Sequence, residues 1–494
     1  KGAVILPHGV LFRGNAEAEI RQNLIRRGII KGIIGLPANL FYGTGIPACL
    51  IVLDKENAEI RKGIFMIDAS KGYAKDGNKN RLREQDIHKI VDVFNKQIEL
   101  PKFSRMVPVA EIEEKEFNLN IPRYIDSTEP EDIQSIESHL LGDIPNADID
   151  ALQNYWDVYP SLKKYLFKKS ERAGFSSLKI VNDKIKETIF SHPEFTDYSE
   201  KVNEVYTKFN RKNVPLCKNI SAETKPKKFI HSMSEDLLGA FSNLQLIDKY
   251  DVYQHLMTFW MDTMQDDCYL IVADGWAVGN EVEWTKKEFE GKLIPKQLLI
   301  KNYFDSMQKS IEQLEADRDA FTSEIEELEE EHSGEDGYFA DFDKINRASV
   351  QTRLKDITAV KNKKEKNDYS LVAEPQAEYG EKAILVQYLK LLDSQAEANR
   401  KIKEFRAELD TKLLEKYKAL SETEIKTLVV EGKWMHAVEQ SVQTEMQRIS
   451  QRLTQRIKEL AERYESPLPK LKEEVSILEK KVNAHLAKMG FVWK

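Results

Sequence analysis

Three short apolar runs at the start of the chain limit its possible folds more than any other feature. They are Ala3-Val4-Ile5-Leu6, Ile29–Leu36 and Ala48–Leu53. The first ends in Pro7 and reads as a strand buried on both faces. Residues 16–27 between the first two runs repeat with helical period, placing Ile20, Leu24 and Ile25 on one side. That helix starts acidic and ends basic, as its dipole favours. The second and third runs are joined by PANLFYGTGIP, where Gly43-Thr44-Gly45 and Pro47 require a tight loop of defined shape. Residues 63–68 add a further strand and 84–95 a further helix. The segment LPHGVLFRGNAEAEIRQNLI is thus a strand, a glycine-containing loop and a helix, with any site at the strand's carboxyl end. No Gly-Lys-Ser/Thr follows a glycine-rich loop, so it is not a nucleotide-binding P-loop.

The rest of the chain requires a different architecture. At 494 residues it exceeds a single core, and 32% charged residues with only 22 Gly and 16 Pro favour long solvated helices. Three scattered cysteines, Cys49, Cys217 and Cys268, suit a reducing cytosol and form neither a disulfide framework nor a zinc motif. The nine histidines never fall three to five apart, so no helical metal site is signalled. No apolar run is long enough to span a membrane. Residues 1–125 hold 20 Lys/Arg against 15 Asp/Glu, a balance of +5; the whole chain is −8, which leaves −13 for the remainder. The basic segment suits a polyanion and the acidic one suits protein or solvent.

Helical spacing dominates after residue 126. Leu152, Tyr155, Trp156 and Tyr159 make one apolar stripe, and Tyr269-Leu270-Ile271-Val272 is a strand candidate. Met307, Ile311, Leu314, Phe321, Ile325 and Leu328 follow a 4-3 seam in which Arg318 fills one position. The stretch from Ile345 to Ile357 should return along it as an antiparallel hairpin, and KNKKEKNDYS reads as a charged linker. A second hairpin is expected from Met446–Tyr464 and Leu471–Leu486, broken by SPLP. Gly490 is its C-cap, and Phe491 and Trp493 are expected to dock.

Taken together, VILPHGVLFRG, the IRQNLI helix and IIGLPANLFYGTGIPACLIVL closely resemble the modification subunit of type I restriction–modification systems, the N-6 adenine-specific DNA methyltransferase family. The resemblance continues through DALQNYWDVYPSL, DVYQHLMTFWMDTMQDDCYLIVADGW and the tail LAERYESPLPKL…VNAHLAKMGFVW. It implies methyl transfer from S-adenosylmethionine to the 6-amino group of adenine in DNA. It also implies a specificity subunit and a restriction/translocase subunit as partners, and a cytoplasmic setting. In this family the cofactor is held by a glycine-rich loop and the flipped adenine by an N-P-P-F/Y loop. Neither occurs in these residues, so no catalytic residue is assigned and the cofactor is not expected to bind this chain alone. The resemblance implies that Lys1 lies inside the family sheet, near its fifth strand. The free edge of Ala3–Leu6 is then expected to be covered by another chain or by rearranged local sequence. By resemblance, Pro7, His8, Gly9, Phe12, Arg13 and Gly14 approach the cofactor and base pocket. Phe41, Tyr42, Gly43, Thr44, Gly45 and Pro47 form a loop facing the target base. Packing under the hairpin is the competing role for Phe41, and a plain surface arginine the competing role for Arg13.

The resulting fold class is mixed: a partial Rossmann-like α/β methyltransferase half followed by a mainly helical region with long antiparallel coiled-coil hairpins. The expected divisions are 1–125, 126–300, 301–370 and 371–494. A helical scaffold that assembles with specificity and restriction subunits is the alternative function, and binding to such a protein without a cofactor pocket would distinguish it.

Overall fold

The computed structural model describes residues 1–128, 132–286, 288–335, 337–364 and 376–491, the side chains of 359–364 and 376–379 excepted. Two compact units emerge, one formed by 1–269 with 434–494 and the other by 270–433. The molecule is mostly helical, with one five-stranded mixed sheet.

That sheet belongs to the first unit. Its strands are β1 (Gly2–Pro7), β2 (Ile30–Gly35), β3 (Ala48–Leu53), β4 (Gly63–Asp68) and, after a small hairpin, β7 (Ser104–Pro108). The hairpin is β5 (Ala74–Asp76) with β6 (Lys79–Arg81). The spatial order is β1-β3-β2-β4-β7. Strand β3 is antiparallel to both β1 and β2, while β2 and β4 are parallel. The carboxyl ends of β1, β2 and β4 therefore share one rim.

Alternation along the strands sorts two apolar layers. Ile33, Cys49, Ile64, Met66 and Val107 face one side, where Leu11, Ile25, Ile112 and Leu119 cover them. Ile34, Phe65 and Ile67 face the other, against Ile90, Val93 and Phe94 of α2 (Glu84–Lys96). Two of the sequence expectations change here. Helix α1 (Asn15–Arg26) buries Arg21 and Ile25 and leaves Ile20 exposed, so its inner face is rotated from the apolar stripe. Strand β1 is not buried on both faces: Ile5 is 54% and Val4 41% exposed, because β1 is the sheet's edge. Among the described residues no strand pairs with its outer edge, so local sequence does not cover it.

Helices α3 (Val109–Glu114), α4 (Ile136–Leu141), α5 (Pro193–Lys218), α6 (Pro226–Ala240) and α7 (Lys249–Phe259) follow, with short helices and a three-stranded sheet of Ile144–Pro145, Phe175–Leu178 and Phe167–Lys169 between α4 and α5. Helix α7 docks on α2: the Tyr250 hydroxyl donates to Asp92 at 2.7 Å, and the His88 and Tyr253 rings lie 4.6 Å apart. The apolar quartet Tyr269–Val272 is helical rather than a strand, lying within Gln265–Asp274.

In the second unit, α8 (Asp305–His332) carries the heptad-like seam. Its partner along the length is α10 (Gln376–Ala419), which runs antiparallel: Tyr388 reaches Glu329, Gln395 reaches Thr322 and Arg406 reaches Glu315. Helix α9 (Arg347–Lys364), expected to be that partner, instead adds Val350 and Leu354 to the end of the cluster. The charged run KNKKEKNDYS begins inside α9, and its residues 365–370 lie outside the described ones.

Back in the first unit, α11 (His436–Tyr464) is buried along one whole face by Val442, Met446, Ile449, Leu453, Ile457 and Leu460. At its start the Trp434 indole donates to Asp267 at 2.8 Å, both groups being buried. The last helix, α12 (Leu468–Lys488), does not return along α11 as a second hairpin arm. It touches α4 near its start and buries none of its side chains. Gly490 caps it at φ 82°, with Phe491 N–H donating to the Leu486 carbonyl at 2.9 Å. Phe491 is half exposed, and Trp493 lies outside the described residues.

Candidate functional site

The rim formed by the carboxyl ends of β1, β2 and β4 is where an open α/β sheet binds its ligands. Both groups of residues singled out in the sequence meet there. Pro7 ends β1, and His8–Leu11 form a single 3-10 turn. The His8 N–H donates to the Pro47 carbonyl at 3.0 Å, which ties this turn to the end of the loop at 37–47.

Arg21 fixes the turn from below. Only 7% exposed, it donates from Nε to the Phe117 carbonyl at 2.9 Å and from Nη1 to the carbonyls of Val10 and Arg13 at 2.9 and 3.1 Å. Burial lowers its pKa, and Glu17 opposes that shift. Gly9 is buried, and an ideal Cβ there would lie 2.7 Å from Arg13 Nε, so only glycine lets the Arg13 side chain fold back. Arg13 also pairs with Glu17 at 3.6 Å, one helical turn on, and over half of its side chain is in solvent. Phe12 is exposed, with its ring edge-on to His8 at 6.3 Å. Burial lowers the His8 pKa, partly offset by the charge of Asp68 at the end of β4. Gly14 precedes α1 as its N-cap in an extended conformation.

The 37–47 loop is held from the side by the β5–β6 hairpin. Asn80 Nδ2 donates to the Ala38 carbonyl at 2.6 Å, and its backbone N–H to Asn39 at 3.0 Å. Lys79 Nζ donates to the carbonyls of Phe41 and Thr44 at 2.9 and 3.3 Å. The loop's tip needs Gly43 at φ 80°, and the Thr44 hydroxyl accepts from the Ile46 N–H at 3.1 Å. Gly45 sits against Asn39: a Cβ there would be 3.0 Å from its side-chain oxygen. With its backbone pinned, the loop presents Tyr42 at 95% exposure, with Phe41 and Ile46 partly exposed beside it.

Arg21, Lys79 and Asn80 went unnoticed in the sequence. An arginine on a helix and two polar residues in a Lys-Asn-Arg run look like solvated surface. Only β5–β6 pairing and the rotation of α1 turn them inward. Asn80 is the one with a retrospective signal, since Gly77-Asn78 is a hairpin turn that places its neighbours beside another loop.

These residues lack the glycine-rich loop expected to hold S-adenosylmethionine, and at Gly9 the space a Cβ would take holds the chain's own Arg13 side chain. Among the described residues no group of His, Cys, Asp and Glu is placed to hold a metal ion. The three cysteines are free and buried, and burial raises the Cys49 thiol to about 11 and Cys217 to about 12. Among the described residues no helix is long and apolar enough to cross a membrane.

Residues 1–133 match the N-6 DNA methylase family. The chain is 39% identical over 129 residues to the methylase subunit of the type I restriction enzyme MjaVII of Methanocaldococcus jannaschii, covering 25% of this chain and 22% of that protein. It is 31% identical over 163 residues to the methylase subunit of the type I restriction enzyme MpnII of Mycoplasma pneumoniae, covering 33% and 30%. A solved type I restriction-modification methyltransferase subunit from Streptococcus thermophilus is 43% identical over 26% of each chain, with a TM-score of 0.25. The chain thus spans 22–30% of the length of these two curated relatives. The family match ends at residue 133, so the resemblance read through the tail lies outside it. The sheet, its rim and both loops all fall within the stretch that matches the N-6 DNA methylase family, in a chain similar over that part to the methylase subunits of type I restriction enzymes.

Proposed function

We propose that this chain supplies the target-base side of an adenine-specific DNA methyltransferase subunit in a type I restriction–modification system, together with helices for assembly. The observation that carries this reading is the pinned loop at 37–47. It holds Tyr42 in solvent, with Phe41 next to it in the chain, at the rim of the sheet within the family-matched residues. A base taken out of the DNA stack needs such aromatic faces. The sheet with its helices is half of a Rossmann-like methyltransferase domain. The open edge of β1 is the position where a further strand of that domain adds.

In the assembled enzyme S-adenosylmethionine would supply the methyl group for the adenine amino group, held by loops outside this chain. This chain's residues position and exclude. Arg21 holds the 8–14 turn, Lys79 and Asn80 hold the base loop, and Tyr42 and Phe41 offer stacking surface. The glycine-rich and N-P-P-F/Y loops that grip cofactor and amino group are absent from these 494 residues. The chain alone is therefore inactive in this reading. The antiparallel pair α8–α10 serves as a coiled-coil arm toward the specificity or restriction subunit, in a cytoplasmic complex acting on DNA.

The test is transfer from tritiated S-adenosylmethionine to unmethylated DNA. It compares the chain alone with a complex in which a type I system supplies the cofactor-binding segment and specificity subunit. Incorporation in the complex and none with the chain alone is expected. Transfer by the chain alone contradicts the need for the added loops. A complex that assembles, binds DNA and transfers nothing contradicts the function.

A further inference from the structure

Helix α12 leaves the body of the first unit with a complete apolar stripe uncovered. Leu468, Leu471, Val475, Leu478, Val482, His485 and Met489 follow an unbroken alternation of three and four residues. Every one is exposed, and the five aliphatic residues from Leu468 to Val482 each leave at least 41% of their surface in water. Such a stripe on a 21-residue helix is a two-stranded seam without its second strand.

The charges beside the stripe identify what fits it. Lys472, Glu474, Glu479 and Lys481 flank the seam, are exposed, and make no ion pair among the described residues. If two copies run antiparallel with Val475 facing Leu478 of the other copy, Leu471 faces Val482 and Leu468 faces His485. The flanks then bring Lys472 to Glu479 and Glu474 to Lys481, each pair occurring twice by symmetry. All four contacts are attractive. A parallel pair in register instead sets Glu474 against Glu479 twice and stacks His485 on its own copy. The flanking charges thus choose the antiparallel direction.

We propose that α12 is a self-association element: two copies of this chain join through antiparallel α12 helices, with the 471–482 and 475–478 layers at the centre. This surface lies on the last helix, outside the family-matched residues, and does not depend on the methyltransferase reading.

The experiment is sedimentation equilibrium of the full chain across concentrations, with circular dichroism to monitor folding. The wild type is expected to approach twice 57.1 kDa. Leu478→Glu is expected to return it to a monomer with an unchanged spectrum, because the residue is exposed in the single chain. Glu474→Lys sets Lys against Lys481 in the antiparallel pair and should weaken association by about tenfold. The double variant Glu474→Lys/Lys481→Glu should restore it. A wild type that stays monomeric at every concentration overturns the proposal, as does tighter association of Glu474→Lys, the outcome of a parallel pair. A monomer that takes up a specificity-subunit helix on this stripe, with binding lost in Leu478→Glu, also overturns it in favour of that partner.

Discussion

Arg21 donates to the carbonyl of Val10 at 2.9 Å across the base of the turn that leaves β1. Through this bond a helix residue fixes the backbone that faces the rim of the sheet. The same guanidinium also holds Phe117, so the turn, α1 and the segment after α3 share one buried anchor. Removing it leaves three carbonyls with fewer donors, in a place where water replaces them poorly.

Arg21→Met keeps much of the stem and deletes the donors. It should destabilise the first unit by about 1.5–3 kcal/mol, the range for losing hydrogen bonds to a charged group. Urea unfolding followed by circular dichroism measures it. A loss below about 0.5 kcal/mol would show that the anchor contributes little.

Tyr42 is the reverse case, since its side chain touches little and its removal should leave stability unchanged. In an assembled complex, Tyr42→Ala should weaken binding to DNA carrying an unpaired target adenine by about 1–3 kcal/mol, the worth of a base–aromatic stack. Fluorescence anisotropy against that DNA checks it. Equal affinity for the variant would remove Tyr42 from the DNA surface.

Lys79 and Asn80 should act on motion more than on stability. Asn80→Ala removes the bond to Ala38, and amide exchange across 37–47 should quicken several-fold while the sheet amides stay protected. Exchange by mass spectrometry reads this directly. An unaltered loop would mean that Gly43 and Pro47 shape it unaided.

The three strands and the helix at 84–95 were legible because each depends on a local signal. Short apolar runs, turn glycines and helical period survive translation into three dimensions. Both loops around the rim were also legible, as residue types that only a tight turn accepts. What failed was partnership. Nothing local in Met446–Leu486 tells whether two striped helices face one another, and α12 turns out to face water. Likewise the seam on α8 was matched to the nearby stretch Ile345–Ile357, whereas the more distant α10 runs along it. Val4 and Ile5 read as buried because apolar runs do, whereas their position at the sheet edge exposes them.

His8 links the turn to acidity. Burial lowers its pKa, so the folded chain takes up its proton less readily than the unfolded one. Above about 6.5, the value for a free imidazole, both states are neutral and His8 contributes nothing pH-dependent. As pH falls below that, the unfolded state protonates first and folding stability declines. His8→Gln should therefore lose less stability than the wild type between about pH 7 and pH 5. Unfolding midpoints at the two pH values give the difference. Parallel declines would remove His8 as the cause.

Trp434 and Asp267 form a buried pair at 2.8 Å that joins the start of α11 to the helix before it in space. Trp434→Phe keeps most of the ring and removes the donor. The Asp267 carboxylate then loses that bond in a buried setting, at a cost of about 1–3 kcal/mol. Thermal unfolding of the full chain measures the loss, and an unchanged midpoint would mean that other donors suffice.

The most direct measurement identifies the base that is modified. DNA treated with S-adenosylmethionine and an assembled complex containing this chain is digested to nucleosides and resolved by mass spectrometry. N6-methyladenine is expected, at a level that falls at least tenfold when Tyr42 is replaced by alanine. Methyl groups found only on cytosine, or N6-methyladenine formed as fast by the Tyr42→Ala complex, would contradict it.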